Sequence, residues 1–291
     1  MKSKSKEAMW GYIFIAPQVL GVLFFSATMI CCVFYLSLTE WNAISAPKFI
    51  GIKNYLTEFH DENFFMAIIN TIKYSLIYIP FNIIIGLLAA IAINDIKGKS
   101  FFRMAFFMPA ITGTIAISVV WLWLYDSDFG LINLFLKMIG ITGPNWLNNP
   151  GLVMVSLGIM AVWLNFGYNM VIYIAGIQAI PSSYYEAANI DGANGVQNFL
   201  HITLPLLTPT LFFTVIMTTI ASFKVFDQIF IMTNGGPAKA SWVYILHIYN
   251  TGFVQFRFGE SCAASVMFFI VMVALTIFQF VQSKRWVSYE N

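Results

Sequence analysis

Six windows of this chain, residues 8–39, 74–94, 104–125, 138–185, 192–223 and 261–283, contain no Asp, Glu, Lys or Arg. Each is long enough to hold the roughly 20 apolar residues that cross the hydrocarbon core of a bilayer. Inside that core no water serves the backbone N–H and C=O groups, so a spanning chain must form helices or a closed barrel of strands. The windows lack the alternation of lipid-facing barrel strands, which leaves helices. Composition agrees: 59% of the residues are hydrophobic and 10% charged, against about a quarter charged in a soluble domain. The expected fold is an all-α membrane protein with six transmembrane helices, near Tyr12–Leu36, Tyr74–Ile93, Ala105–Tyr125, Leu152–Ile177, Leu206–Met232 and Cys262–Val281. Residues 1–11 and 282–291 are expected as tails and 12–281 as one six-span domain. The first window is too long for a cleavable signal, and five further spans follow it.

Orientation follows from where Lys and Arg concentrate. Lys2, Lys4 and Lys6, then Lys97, Lys99 and Arg103, then Lys284 and Arg285 are short basic segments, whereas Glu58, Asp61, Glu62, Asp126 and Asp128 lie in the alternate loops. Both termini are therefore expected in the cytoplasm of a cell whose plasma membrane the chain crosses, with loops 38–70, 126–150 and 233–260 outside. The segment 181–205, between the fourth and fifth spans, then faces the cytoplasm yet has no Lys or Arg.

Several function classes drop out. A net charge of +2 without a basic cluster does not fit nucleic acid. Cys31, Cys32 and Cys262 form neither a disulfide framework nor a metal-ligand spacing, and His60, His201 and His247 fall far apart, so no metal site or cofactor is expected. Gly98-Lys99-Ser100 is the nearest approach to a phosphate-binding loop, but Ile93 stands where that motif needs its first Gly. Catalysis by this chain is not expected, and any ATP-driven work needs a separate polypeptide.

Ser183 and Glu186 have the spacing of a capping box, which predicts a helix start. Gly192 suits the left-handed residue that ends such a helix, and Pro205 and Pro209 suit the first turns of the fifth span. The product is a helix, a glycine turn and a second helix. Two readings are open: an ordinary connection resting at the membrane interface, or a knob for another protein. Interfacial helices generally carry Lys or Arg for anionic lipid, and this one has none.

The spacing Glu186-Ala187-Ala188, three residues to Gly192, nine more, then Ile202-Thr203-Leu204-Pro205 resembles the EAA loop of ATP-binding-cassette importer permeases. The resemblance extends to Gly51-Ile52-Lys53-Asn54-Tyr55, to Asn70-Thr71, to Thr233-Asn234-Gly235-Gly236-Pro237, and to Tyr249, Phe253, Phe258-Gly259 and Ala263-Ala264-Ser265, which are similar to the maltose-type carbohydrate permeases. It implies that Glu186, Ala187, Ala188, Asp191, Gly192, Ile202, Leu204 and Pro205 form a coupling helix that docks on an ATPase. It implies as partners a second permease subunit, two copies of that ATPase holding ATP and Mg, and an extracellular solute-binding protein that delivers sugar. The chain then forms half of an alternating-access pathway in a bacterial cell membrane.

A sugar path needs aromatic rings and hydroxyl or amide groups on one helical face. The fourth span offers Trp163, Asn165, Tyr168, Asn169 and Tyr173, with 165, 168 and 169 at helical spacing. The fifth offers Thr214, Thr218 and Ser222 at successive steps of four. Small hydroxyl residues also serve helix packing, the reading preferred for Thr214. Two amides and a phenol in mid-span need a polar interior. The resemblance supports Asn165, Tyr168, Thr218 and Ser222 in the path. Lys224 and Asp227 are three apart and suit an ion pair or a gate. Pro80 and Pro109 are expected to bend or end the second and third helices. An importer of another polar solute such as glycerol phosphate remains an alternative, with Lys73 and Lys224 as the cations near the path. A stand-alone ion-coupled carrier or channel is a further one, with Asp227 as its acidic site.

Overall fold

The computed structural model describes residues 2–94 and 96–287, with side chains from Met9 onward. The Lys2, Lys4 and Lys6 side chains and the end of the 282–291 tail lie outside the described residues. Among the described residues, five helices are long and apolar enough to cross a membrane: Met9–Ser37, Glu62–Asn94, Val153–Ala179, Thr208–Met232 and Phe258–Ser283. They are the first, second, fourth, fifth and sixth of the expected spans.

The third departs from expectation. In place of one helix over Ala105–Tyr125, helices Lys99–Ile111 and Thr114–Leu124 meet at 96°. Pro109 cannot donate a backbone hydrogen bond, and Thr112 leaves the helix with ψ 141°. Pro80 does not end the second span, which continues from Glu62 to Asn94. That helix also starts well before Tyr74, because Phe64, Ala67, Asn70 and Thr71 form a buried face before the fully apolar stretch. The fifth span is interrupted between Thr208–Phe223 and Asp227–Met232.

Two compact units can be distinguished. One comprises Met1–Asp61 with Ile248–Val271, the other Glu62–His247 with Met272–Asn291. In the first unit the chain leaves the first span into a two-residue antiparallel ladder, in which Thr39 pairs with Phe49 and Glu40 with Lys48. Asn54, on the short helix Lys53–Glu58, is buried and donates its amide to the carbonyls of Ser37 and Thr39, each at 2.8 Å. Gly259 lets the first turn of the sixth span approach that ladder, since a Cβ there would stand 2.0 Å from the Thr39 carbonyl oxygen.

In the second unit the fourth span is the centre, with the second, the fifth and the Lys99–Ile111 helix packed on it. Ala90 and Ile93 from the second span, Met170, Tyr173 and Ile174 from the fourth, and Leu207 at the entry to the fifth form one apolar cluster. Gly167 places the Lys99–Ile111 helix directly against the fourth span: a Cβ there would meet the Phe106 carbonyl oxygen at 1.9 Å. At Gly86 the tightest contacts are milder, 3.1 Å to the Asn169 Cβ and the Phe166 carbonyl.

A rotamer change cannot relieve an overlap with backbone, so Gly167→Val should force the two helices apart at a cost of about 1–3 kcal/mol. We expect Gly167→Val to lower the thermal midpoint of the purified protein in detergent, and Gly86→Ala to lower it less. Equal midpoints for wild type and Gly167→Val would refute the backbone contact.

Candidate functional site

The connection between the fourth and fifth spans is built from local rules. Helix Ser182–Ile190 begins after Pro181, whose backbone is extended. The expected Ser183–Glu186 capping box does not form; instead the Ser182 hydroxyl donates to the Glu186 carboxylate at 2.9 Å, four residues along the same face. The other end follows the expectation. Gly192 adopts φ +81°, the Gly192 N–H donates to the Asn189 carbonyl at 3.2 Å, and the Ala193 N–H donates to Ala188 at 2.9 Å. These two bonds make the glycine-terminated Schellman motif. A capping box exists one step later: the Asn194 N–H donates to the Gln197 side chain at 2.8 Å, and the Gln197 N–H donates to the Asn194 side chain at 3.0 Å. The Asn-x-x-Gln spacing was a signal for it in the sequence.

Helix Gly195–Asn198 then widens through Phe199–Thr203 into Leu204–Leu206, with Pro205 in a first turn that needs no donor from it. Two contacts tie the arms: the Tyr185 and Thr203 hydroxyls lie 2.9 Å apart, and Asn198 donates to Asn189 at 3.1 Å. Glu186, Ala187, Asp191 and Gly192 are exposed, while Ala188, Ile202, Leu204 and Pro205 are half-buried. Ile190 is 86% and Val196 67% exposed, so the turn carries apolar side chains at its surface. A concavity of about 330 Å³ between the arms is lined by Ala188, Asp191, Gly192, Asn198, His201 and Ile202 among others. No atom outside the local chain comes within 4 Å of where a Cβ on Gly192 would stand.

The residues expected along a path divide into two groups. Asn169 is buried and donates to the Asn82 side-chain oxygen at 2.5 Å and the Thr218 hydroxyl at 3.1 Å, joining the fourth span to the second and the fifth. The Tyr173 and Thr214 hydroxyls meet at 2.7 Å, also buried. Ser222 is buried and donates to the Thr219 carbonyl of its own helix. Asn165 is half-buried and donates back to Ala161 at 3.0 Å, while Tyr168 is 47% exposed. The single polar face expected for 165, 168 and 169 is thus split: Asn169 is held in the helix packing, and Asn165 and Tyr168 are not brought to it.

The expected Lys224–Asp227 ion pair does not form among the described residues. The helix stops between them, and both side chains are exposed. Partners that the sequence did not reveal complete the seam. Gln228 donates to the Tyr74 hydroxyl at 2.5 Å, Tyr74 stacks on Tyr78 with ring centroids 5.6 Å apart, and Gln279 donates to Thr219 at 3.0 Å. In the sequence Asn82 is an amide in the middle of an apolar window, and its partner lies 87 residues away.

The chain is similar to known proteins over nearly its whole length. The profile of binding-protein-dependent transport system inner membrane components matches residues 82–287. A trehalose/maltose transport system permease protein of Thermococcus litoralis is 33% identical over 281 residues, 95% of this chain and 94% of that protein. An sn-glycerol-3-phosphate transport system permease protein of Agrobacterium fabrum is 33% identical over 282 residues, 96% of each. In fold, the chain is similar to a chain of the bacterial alginate ABC transporter crystallised with its alginate pentasaccharide-bound periplasmic protein. The TM-score is 0.85 at 22% identity, covering 98% of this chain and 97% of that one.

The matched stretch contains the whole Asn82–Asn169–Thr218 seam. Truncating Asn169 strands both partners, so Asn169→Ala should destabilise the protein, and the Asn169→Ala/Thr218→Ala double-mutant cycle should give a coupling of about 0.6–1.7 kcal/mol. Unfolding in detergent measures it; strict additivity would mean that the two side chains do not interact.

Proposed function

The chain belongs to the family of binding-protein-dependent transport system inner membrane components, and from that premise we propose that the solute it imports is a sugar. It is a multi-pass membrane protein and the permease subunit of an ABC transporter, a transport component rather than an enzyme. In the proposed assembly it pairs with a second permease, two copies of an ATPase that hold ATP and Mg, and a solute-binding protein outside the cell. Both termini and the 181–205 segment face the cytoplasm.

The observation that carries this reading is the helix–glycine–helix segment Ser182–Leu206. Its tip exposes Glu186, Asp191 and the apolar Ile190, a surface suited to docking on another protein rather than to lying on anionic lipid. Closure of the ATPase pair would push on this segment and turn the spans, opening a path between the two permeases for the sugar. Asn165 and Tyr168, half-buried and exposed on the fourth span, are then the groups left to meet a solute, whereas Asn169 and Thr218 hold the spans in register and Ser222 bonds within its own helix. Lys224 and Asp227, both exposed and unpaired with each other, are placed to act as a gate.

The glycerol-phosphate relative, as similar as the trehalose/maltose one, favours a second reading. A phosphate dianion is best held by Arg or Lys. Among the described residues the polar seam of the second, fourth and fifth spans contains neither, and Lys73 and Lys224 are exposed outside it. That balance supports a neutral solute.

The test is solute-stimulated ATP hydrolysis by the co-purified complex. Sugars are expected to stimulate and glycerol 3-phosphate is not. Gly192→Asp places a charge in open space at φ +81°, a strain of about 1–2 kcal/mol confined to the turn, so the subunit should fold while stimulation is lost. Undiminished stimulation in that variant would remove the segment from coupling, and a chain that moves solute without any ATPase would overturn the importer.

A further inference from the structure

The first unit contains a cleft that none of the roles above uses. It has a volume of about 560 Å³, within the 300–1,000 Å³ usual for small-molecule sites. One wall is the ladder and loop after the first span, with Glu40, Trp41, Asn42 and Lys48; the other is the approach to the sixth span, with Phe256, Arg257 and Glu260. By the Lys and Arg distribution it lies on the extracellular side.

The cleft is preformed. Gly259 closes its floor by donating its N–H to the Trp41 carbonyl at 3.2 Å, and the Arg257 N–H donates to the Thr251 carbonyl at 3.0 Å. The Asn42 side-chain oxygen accepts from the Ile44 N–H at 3.1 Å and the Ser45 N–H at 2.9 Å, which leaves its amide nitrogen as a donor at the rim. Phe256 sits at φ +56°, a left-handed conformation that a non-glycine residue adopts only at a steric cost, and the residue is 56% exposed. The fold thus holds an aromatic ring towards solvent at the mouth of a polar cleft, at an energetic cost.

The aromatic surface continues beyond Phe256. Trp41 lies 5.6 Å from Phe258 between ring centroids, Phe258 5.4 Å from Phe253, and Phe253 5.5 Å from Tyr249, in a stacked pair. Trp41, Phe258 and Tyr249 are half-buried in this row and Phe253 is exposed, so the free face of Phe253 is an apolar platform of the kind that the C–H face of a sugar ring covers. The side chains that line the cleft balance in charge, Glu40 and Glu260 against Lys48 and Arg257, with Glu58 and Asp61 near enough to act on Glu260, and Arg257 is ion-paired to Glu260. The lining therefore offers an anion no net positive charge. A neutral polyol can give hydroxyl hydrogens to the carboxylate and accept from the guanidinium while the pair stays intact.

We propose that this cleft is an entry subsite for a neutral sugar, with Trp41 and Phe256 as ring platforms and Arg257, Glu260 and Glu40 as partners of its hydroxyls. The aromatic row leading away from it extends the subsite for oligosaccharides. The inference rests on the carbohydrate reading and adds a site outside the spans.

The experiment is sugar-stimulated ATP hydrolysis by the complete complex with its solute-binding protein, using maltose, trehalose and maltopentaose as probes. Phe256→Gly removes the ring and relieves the left-handed strain, so folding should be retained, and co-purification of the ATPase reports it. It should raise the apparent KM about fivefold while most of the maximal rate remains, with a larger effect for maltopentaose. Trp41→Ala should act alike and Trp41→Phe should restore most of the affinity; if Trp41→Ala does not assemble, Phe256→Gly decides alone. Unchanged KM in Phe256→Gly, with a wild type that responds to sugar, overturns the subsite and leaves the carbohydrate reading standing. A loss that is equal for all three sugars and tracks weaker docking of the binding protein also overturns it, because the cleft then receives protein. A wild type that responds to none of the probes and to glycerol 3-phosphate instead overturns both.

Discussion

A polar side chain inside a bilayer must find its hydrogen-bond partner within the protein, and the second unit is organised by that requirement. Asn169 is the point at which it is met: one amide bonds the second span through Asn82 and the fifth through Thr218. Each such bond is modest, on average about 0.6 kcal/mol in a membrane protein, because the separated helices also find partners. Its greater effect is on register. Rotating any of the three helices by one residue would bury an amide or hydroxyl against hydrocarbon, so the bonds select one arrangement among many that would pack their Leu and Ile side chains about equally well. Tyr173–Thr214 and Tyr74–Gln228 repeat the principle along the same helices.

Close packing supplies the second constraint. Where helices approach to backbone distance, as the Lys99–Ile111 helix does at Gly167, dispersion contacts replace the hydrophobic drive that lipid does not provide. The break after Pro109 and at Thr112–Gly113 lets that helix lie against the fourth span while Thr114–Leu124 takes another direction. The Ser182–Leu206 segment follows directly from the fourth span and leads into the fifth, and its arms are tied by Tyr185 and Thr203. Under the proposed function, a push on its exposed tip would therefore reach two of the three helices that Asn169 joins.

Local features were the most legible. Gly192 could be placed in a left-handed turn because a helix ending there requires it, and it is found there. The same helix starts at Ser182, where the Ser-x-x-Glu spacing places it, but its capping bonds are absent there and a capping box forms instead at Asn194 and Gln197. Spacing also misled at Lys224 and Asp227: three residues apart implies one face only while the helix continues, and it stops between them. For the fourth span, periodicity put Asn165, Tyr168 and Asn169 together, yet burial depends on which neighbours arrive, and only Asn169 is enclosed.

By itself the sequence determined what the bilayer and the local backbone demand: helices where charge is absent, a glycine-ended helix before Gly192, and no phosphate-binding loop to power transport. Those are decided within one window, by solvation and by allowed dihedral angles. Tertiary structure alone decided which polar groups meet, that the third span is broken, and that Trp41 and Phe256 share one cleft although more than 200 residues separate them. Such pairings depend on the rotation and depth of whole helices, set by the sum of many weak contacts, and no single stretch of chain contains that sum.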